Sequence, residues 1–194
     1  MSAAAEAPFL AGVDIGTGHV RTLIFDVRGR KVGAASVATP THRPRHYWAA
    51  HRPEDLWSAV ATTLRQAIAA APRNCPIAGV AVTSFGEAAV PLDANLAPVH
   101  DVIAWYDPRT APQARRIAEK VGVQRVFAIT GMNLNPTFGL CKLMWLREHV
   151  SDGSRLRPDA VIVRPIRIAV TRQIDRQHAA FFAKFQYQGV KQLA

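Results

Sequence analysis

The segment from Gly12 to Arg21 combines residues that suit phosphate chemistry. An apolar run ends in Asp14 and is followed by Gly16, Thr17 and Gly18. Glycines let backbone N–H groups approach phosphate oxygens without a Cβ in the way, and Thr17 adds a hydroxyl. The Asp14 carboxylate suits a magnesium ion that keeps most of its water shell. The segment predicts a phosphate turn with a metal-binding acid, and a hairpin turn that simply needs glycine is the alternative.

Two further segments place polar and aromatic side chains after apolar runs. Glu87 follows such a run and a glycine turn, and its carboxylate can accept hydrogen bonds from hydroxyl groups of a ligand. Trp105 offers a flat apolar face, and Asp107 can also accept hydrogen bonds from hydroxyls. The alternatives are a surface acid for Glu87, a core residue for Trp105, and an N-cap at Pro108 for Asp107, with Arg109 as its ion-pair partner.

Apolar patterns and turn residues indicate which elements position these side chains. Alternating or continuous apolar runs predict strands, which turn glycines join into an antiparallel meander, and the apolar repeat after Pro53 predicts a helix. The predicted strands are Phe9–Ile15, Val20–Val27, Lys31–Ala38, Ile77–Thr83, a strand near Ala88–Asp93, and Val102–Trp105. The predicted helices run from Pro53 to about Ala71, from Pro108 or Pro112 to about Lys120, and between Pro136 and His149. Pro40 to His51 is predicted to be irregular. The order predicts an α/β fold whose mixed sheet begins with an antiparallel meander and is flanked by helices.

Composition indicates a reduced globular protein. The 194 residues are 49% hydrophobic and 20% charged, and no apolar run approaches the roughly 20 residues of a membrane span. Cys75 and Cys141 stand far apart without nearby ligands, so we expect a cytoplasmic protein without a disulfide or zinc site. Met1 to Pro8 is predicted to be a short disordered tail and not a signal peptide.

The net charge of +10 is unevenly distributed. The first 150 residues carry 16 Lys and Arg against 11 Asp and Glu, whereas Ser151 to Ala194 carries 8 against 3. The front charges are scattered, as on a solvated surface, and favour no nucleic-acid partner. We therefore predict that residues 151–194 form an atypical basic tail, and that binding of nucleic acid through this tail is an alternative function.

The three chemical segments together resemble the FGGY carbohydrate kinases. Gly12–Arg21 resembles the first phosphate motif of the superfamily of sugar kinases, heat-shock ATPases and actin. Gly79–Ala88 resembles the FGGY strand and turn that reach the sugar, and Ile103–Thr110 resembles the FGGY stretch Trp-x-Asp-x-Arg-Thr. Ile129–Gly131 and Leu143–Leu146 stand where these kinases have a Thr-Gly turn and a helix. The resemblance spans about 150 residues.

This resemblance implies a fold, a reaction and a set of site residues. The fold would be one ribonuclease-H-like half of an actin-like ATPase, and the reaction would be ATP-dependent phosphorylation of a sugar or polyol hydroxyl with Mg²⁺. ATP and magnesium would contact Asp14, Gly16, Thr17 and Gly18, and the sugar would contact Glu87, Trp105 and Asp107. Related glycerol kinases have Arg before the Glu, where this chain has Gly86, which argues against glycerol as the substrate.

The resemblance also implies that parts of the enzyme lie outside this chain. The family's catalytic base, an Asp, and the adenosine pocket belong to later sequence and to a C-terminal domain. We therefore predict an incomplete N-terminal kinase domain over residues 9–150, inactive alone, from a parent that could form a homodimer. Residues 151–194 would then be non-family sequence produced by a frameshift or truncation. A non-catalytic regulatory or pseudogene-derived module of the same fold is the alternative.

Overall fold

Residues 8–40 and 54–85 form a four-stranded sheet with a helix packed on it. The computed structural model describes residues 8–93 and 97–150, and its second unit consists of residues 41–53, 86–93 and 97–150. In chain order the elements are β1 (Phe9–Ile15), β2 (His19–Phe25), β3 (Lys31–Ala38), β4 (Ala50–His51), α1 (Pro53–Ala69), β5 (Ile77–Ser84), β6 (Val102–Ile103), a 3-10 turn (Pro108–Thr110), α2 (Ala111–Val121), α3 (Val123–Thr130) and α4 (Gly139–His149).

The sheet of the first unit has the strand order β3-β2-β1-β5. The first three strands are antiparallel, and β5 pairs with β1 in parallel. A parallel pair requires a crossover, which α1 supplies. Its register pairs Ile15 with Ser84, and the Phe85 N–H donates to the Ile15 carbonyl at 3.1 Å. The carboxyl end of β1, which carries Asp14, therefore lies beside the end of β5.

One face of this sheet packs against α1. Val13 and Val20 lie in one apolar cluster with Val60, and Ile24 lies in a second apolar cluster with Ala67. These residues are almost fully buried, as expected where an amphipathic helix covers a sheet. The helix begins at Pro53, which needs no intrahelical N–H donor at that position. The sheet and helix thus form a core that holds the end of β1 in place.

The second unit is mainly helical. Its short strands pair antiparallel, Ala50 with Ile103 and His51 with Val102, and its apolar cluster joins Ile103 to Trp145 and Leu146 of α4. Gly131 follows α3 at φ 70° in the left-handed conformation, as is common where a helix ends in glycine. Within the described residues, no helix is both long and apolar enough to cross a membrane.

Most predicted elements are confirmed, with three differences. The predicted strand near Ala88–Asp93 is wrong, because only an isolated bridge from Leu92 to Pro98 forms there. Pro91 lacks the N–H that a ladder needs. The segment predicted to be irregular ends in β4, and α3 was not predicted because its eight residues are too short for a clear repeat. The predictions for residues 1–7 and for the tail from Ser151 lie outside the described residues.

The contact between β3 and α1 gives a test of the packing in the first unit. An ideal Cβ on Gly33 would lie 2.3 Å from the Ala67 carbonyl oxygen, whereas one on Gly12 would meet only Phe25, at 4.0 Å. Gly33→Ala should therefore lower the free energy of unfolding by about 1–3 kcal/mol because backbone must move apart. Gly12→Ala is the matched control and should be near neutral. Urea unfolding followed by circular dichroism measures both, and equal stability of the two variants would contradict this packing.

Candidate functional site

The turn between β1 and β2 is held by its own backbone and by Thr39. The Gly16 N–H donates to the His19 carbonyl at 3.0 Å, and the Thr39 N–H donates to the Gly18 carbonyl at 3.0 Å. The Thr39 hydroxyl donates to the Gly16 carbonyl at 2.6 Å. An ideal Cβ on Gly16 would lie 3.0 Å from the His19 carbonyl oxygen. Gly16 therefore shapes the turn, and its own N–H is used within the turn.

Two opposite charges flank this turn. Asp14 and Arg21 are cross-strand partners, and Asp14 Oδ2 lies 3.5 Å from Arg21 Nη1, with both side chains about half exposed. An ideal Cβ on Gly16 would lie 3.5 Å from Asp14 Oδ2 and 3.8 Å from Arg21 Nη1. The Asp14 carboxylate and the Arg21 guanidinium group thus both lie next to the glycine turn. Arg21 was not predicted as a site residue from the sequence, although the hairpin register places it opposite Asp14.

Asp107 is buried, and four donors surround its carboxylate. Oδ2 accepts the Ala49 N–H at 2.6 Å and Arg109 Nη2 at 2.7 Å. Oδ1 accepts the N–H and the Nε of Arg109, both at 2.9 Å. A carboxylate has about four acceptor positions, and the exposed fraction of this side chain is 0%. Asp107 is thus the N-cap of the turn Pro108–Thr110 and a buried ion-pair partner, so its predicted contact with a sugar is not supported.

The Arg109 guanidinium lies between two tryptophans of the second unit. Its central carbon is 4.1 Å from the Trp48 ring centroid and 5.1 Å from that of Trp145. The His149 ring stacks on the Trp145 ring, with 4.4 Å between the ring centroids. Burial of a charged pair carries a desolvation cost. Here the four hydrogen bonds to Asp107 and the cation–π contacts offset it.

Glu87 follows β5 and has an unusual backbone conformation. Its φ is 54°, in the left-handed region, and the residue is exposed. Its Oε2 accepts the Gly139 N–H at 2.5 Å, and its carbonyl accepts a hydrogen bond from Lys142 Nζ. Oε1 accepts no hydrogen bond within residues 8–93 and 97–150. One carboxylate oxygen of Glu87 therefore bonds to the start of α4, and the other can accept a bond from a ligand.

Lys142 is a buried cation that the sequence analysis did not single out. Its exposed fraction is 5%, and burial lowers its pKa to about 8, although the carboxylates of Glu87 and Asp107 act in the opposite direction. The signal in the sequence was a single lysine within an otherwise apolar part of α4, from Gly139 to Leu146. Such a lysine is expected to have a specific polar partner, because an unpaired buried charge is costly.

Trp105 lies at the surface of the second unit. Its residue is 41% exposed, and its ring meets that of Tyr106 edge-on, with 5.4 Å between the centroids. The alternative that Trp105 belongs to the core is therefore wrong. The sugar contact proposed for Trp105 stays a prediction.

Residues 9–158 match the model for the N-terminal domain of the FGGY family of carbohydrate kinases. This chain belongs to the FGGY family. Glycerol kinase from Rhodospirillum centenum is 33% identical to this FGGY chain over 156 residues, which are 79% of the chain and 31% of that enzyme. The FGGY chain thus spans about 30% of the length of the curated relatives it matches.

Solved structures confirm the predicted fold. The FGGY chain resembles a xyloylose kinase from Brucella ovis with a TM-score of 0.69 and 30% identity, over 77% of this chain and 31% of that chain. It also resembles Plasmodium falciparum glycerol kinase with ADP, with a TM-score of 0.70 and 17% identity, over 75% of this chain and 30% of that chain. The α/β fold predicted from the order of elements and the actin-like fold implied by the resemblance are therefore confirmed.

The buried pair of Asp107 and Arg109 gives a test of the second unit of this FGGY chain. Asp107→Asn keeps the shape but removes the charge, which leaves the Arg109 guanidinium buried without its counter-ion. We expect the free energy of unfolding to fall by about 3–5 kcal/mol. Asp101→Asn is the matched control, because Asp101 pairs with His42 where both side chains are about one third exposed, and it should cost less than about 1 kcal/mol. Urea unfolding measures both, and similar losses for the two variants would contradict the assigned role of Asp107.

Proposed function

We propose that this chain supplies phosphate-binding and sugar-binding residues to a kinase that phosphorylates a hydroxyl of a sugar or polyol at the expense of ATP. The observation that carries the proposal is the exposed carboxylate of Glu87. Only one of its oxygens, Oε2, accepts a hydrogen bond from α4. Membership of the FGGY family supports a carbohydrate as the substrate. The chain spans about 30% of its curated relatives, so the reaction is proposed for the complete enzyme.

The turn between β1 and β2 is the proposed place for the nucleotide phosphates. Thr17 and Gly18 form the outer part of the turn and are exposed, so their polar groups suit phosphate oxygens. Arg21 adds a positive charge beside them, and a guanidinium group suits phosphate geometry. Gly16 contributes the shape of the turn, since its N–H bonds to the His19 carbonyl.

Asp14 fits the magnesium ion that accompanies ATP in such reactions. Its carboxylate is about half exposed. No group of three or more His, Cys, Asp or Glu side chains that could hold a metal occurs in the described part of the chain. Magnesium commonly takes one or two protein carboxylates and completes its shell with water and phosphate oxygens, which is the arrangement that a single Asp14 suits. The bound ion would offset the negative charge on the phosphates.

Glu87 and Trp105 are the proposed sugar contacts. An ionised carboxylate accepts hydrogen bonds from hydroxyls, and an exposed indole ring can cover the apolar face of a sugar ring. Asp107 is not proposed as a contact because its carboxylate is buried and bonded to Ala49 and Arg109. The residue before Glu87 is Gly86, which adds no side chain and leaves the choice among sugars and polyols to other residues.

We propose that residues 9–150 are kinase domain and that this part alone does not turn over substrate. The proposed catalytic base and adenosine pocket belong to the complete enzyme. The alternative is a non-catalytic module of the same fold, which would keep the fold without affinity for sugar or nucleotide. The cytoplasmic location, the homodimeric parent and the non-family tail remain predictions.

Replacement of Glu87 by Gln tests the proposed sugar contact. Gln keeps an oxygen acceptor for the Gly139 N–H but loses the charge that strengthens a bond to a hydroxyl, so we expect the KM for the sugar to rise about tenfold or more. The KM for ATP should change little. A thermal-shift screen with glycerol, xylulose and related sugars on the complete gene product identifies the substrate, and steady-state kinetics then measure the variant.

Glu119→Gln provides the matched control, because Glu119 is an exposed acid on α2. It should leave both constants unchanged. A sugar KM that is the same in Glu87→Gln and the original enzyme would overturn the proposed contact. The absence of any sugar or nucleotide binding by the complete gene product would favour the non-catalytic module.

A further inference from the structure

Two residues one turn apart at the start of α4 bond to the same distant residue. Gly139 and Lys142 lie 52 and 55 positions after Glu87 and contact its carboxylate and its carbonyl, respectively. We propose that Lys142 is a positioning residue, whose ammonium group holds the Glu87 backbone so that the carboxylate is fixed for binding a substrate hydroxyl. This inference rests on the proposed function, because it explains how a sugar contact is kept in place.

The backbone of Glu87 needs such support. A non-glycine residue at φ 54° is in a sparsely populated and strained region of backbone conformation. The bond from Lys142 orients the peptide group that follows Glu87. The bond from Gly139 orients the side chain, and the two together define one conformation.

Lys142 donates a hydrogen bond to the Glu87 carbonyl, which an apolar side chain at its position could not do. The neighbouring α4 residues Cys141, Trp145 and Leu146 are buried, and another apolar residue would avoid the desolvation cost of an ammonium group. The ammonium group donates a charge-assisted bond to a carbonyl and places a positive charge near the Glu87 carboxylate. Both effects favour a single, fixed position of Glu87.

The bond from Lys142 to the Glu87 carbonyl depends on pH, because Lys142 can lose its proton. The ionisable groups that act on it are Glu87, Asp107 and Cys141, and burial outweighs them and lowers the pKa of Lys142 to about 8. Asp107 is already paired with Arg109, whereas the Glu87 carboxylate, which also acts on Lys142, has no ion pair among the described residues. The ammonium group, and with it the stronger bond to the Glu87 carbonyl, is present below about pH 8 and is lost as the pH rises through that value.

Loss of the charged Lys142 bond at high pH can be distinguished from unfolding of the chain. The folded-state pKa of Lys142 is below its ordinary value of 10.5, so the unfolded chain binds more protons in the interval above about pH 8. The contribution of Lys142 to the free energy of unfolding therefore increases with pH in that interval. A weaker hold on Glu87 above pH 8 is thus expected while Lys142 itself does not favour unfolding.

The amide proton of Gly139 reports, without any substrate, whether the Glu87 carboxylate is held against α4. In the 194-residue chain its NMR chemical shift depends on the bond to the Glu87 carboxylate, and Glu87→Ala gives the shift that follows complete loss of that bond. We expect Lys142→Met to move the Gly139 resonance most of the way to that position. Lys142→Arg should keep it near the original position. Lys120→Met is the matched control, because Lys120 is an exposed lysine in the last turn of α2, and it should cause no change.

The pH dependence tests the same claim without a substitution. Between about pH 6.5 and 9 the Gly139 resonance should move with a midpoint near 8 in the original chain and stay constant in Lys142→Arg, whose guanidinium group remains charged. If Lys142→Met does not fold, this comparison decides the question. The inference is overturned if the original chain shows no such titration, or if a folded Lys142→Met leaves the resonance unchanged while Glu87→Ala moves it.

Steady-state kinetics of the complete gene product test whether the bond from Lys142 to Glu87 affects substrate binding. Loss of one charge-assisted bond at Lys142→Met should raise the KM for the sugar about tenfold with little change in kcat, and Lys142→Arg should restore most of the affinity. A purely structural role would instead lower the amount of folded enzyme and leave the KM unchanged. If Glu87→Gln leaves the sugar KM unchanged, the proposed function fails, whereas the Gly139 resonance still decides the role of Lys142.

Discussion

The second unit depends on a buried ion pair held between two tryptophans. Asp107 bonds to the Ala49 N–H and to Arg109, and the Arg109 guanidinium contacts the rings of Trp48 and Trp145. These contacts join the loop before β4, the turn after β6 and helix α4. Removal of one charge would leave the other buried without a partner, which is among the most destabilising changes a protein can undergo. The pair therefore fixes where α4 lies within this unit.

The position of α4 in turn determines the conformation of Glu87. Trp145 lies on the same helix as Gly139 and Lys142, so the contact that anchors the helix to Arg109 also places the two groups that bond to Glu87. The site residue itself is exposed and would be mobile without these bonds. Burial thus separates the structural acid Asp107 from Glu87, the acid proposed to bind a ligand: the first has all its acceptor positions filled, and the second keeps Oε1.

Local patterns in the sequence predicted the first unit well. The alternating strands and turn glycines from Phe9 to Ala38 predict the meander, and the apolar repeat in α1 predicts the helix that covers it. The end of β1, with Asp14 and the glycine turn, was therefore placed correctly. The apolar residues before Pro91 resembled a strand, but one proline prevented regular pairing there.

The candidate site of the second unit could not be predicted to the same depth. The bond from Lys142 to Glu87 spans 55 residues, and the bond from Ala49 to Asp107 spans 58. Such contacts depend on how the segments pack, which no local period encodes. The sequence did offer both roles for Asp107, sugar contact and helix cap, and only its burial and its four donors separate them.

A crystal structure of the complete kinase with a bound sugar and MgADP would test the central claim most directly. It should show a sugar hydroxyl within hydrogen-bonding distance of Glu87 Oε1 and the nucleotide phosphates at the turn from Gly16 to Gly18. A sugar bound without contact to Glu87, or phosphates bound away from that turn, would contradict the account.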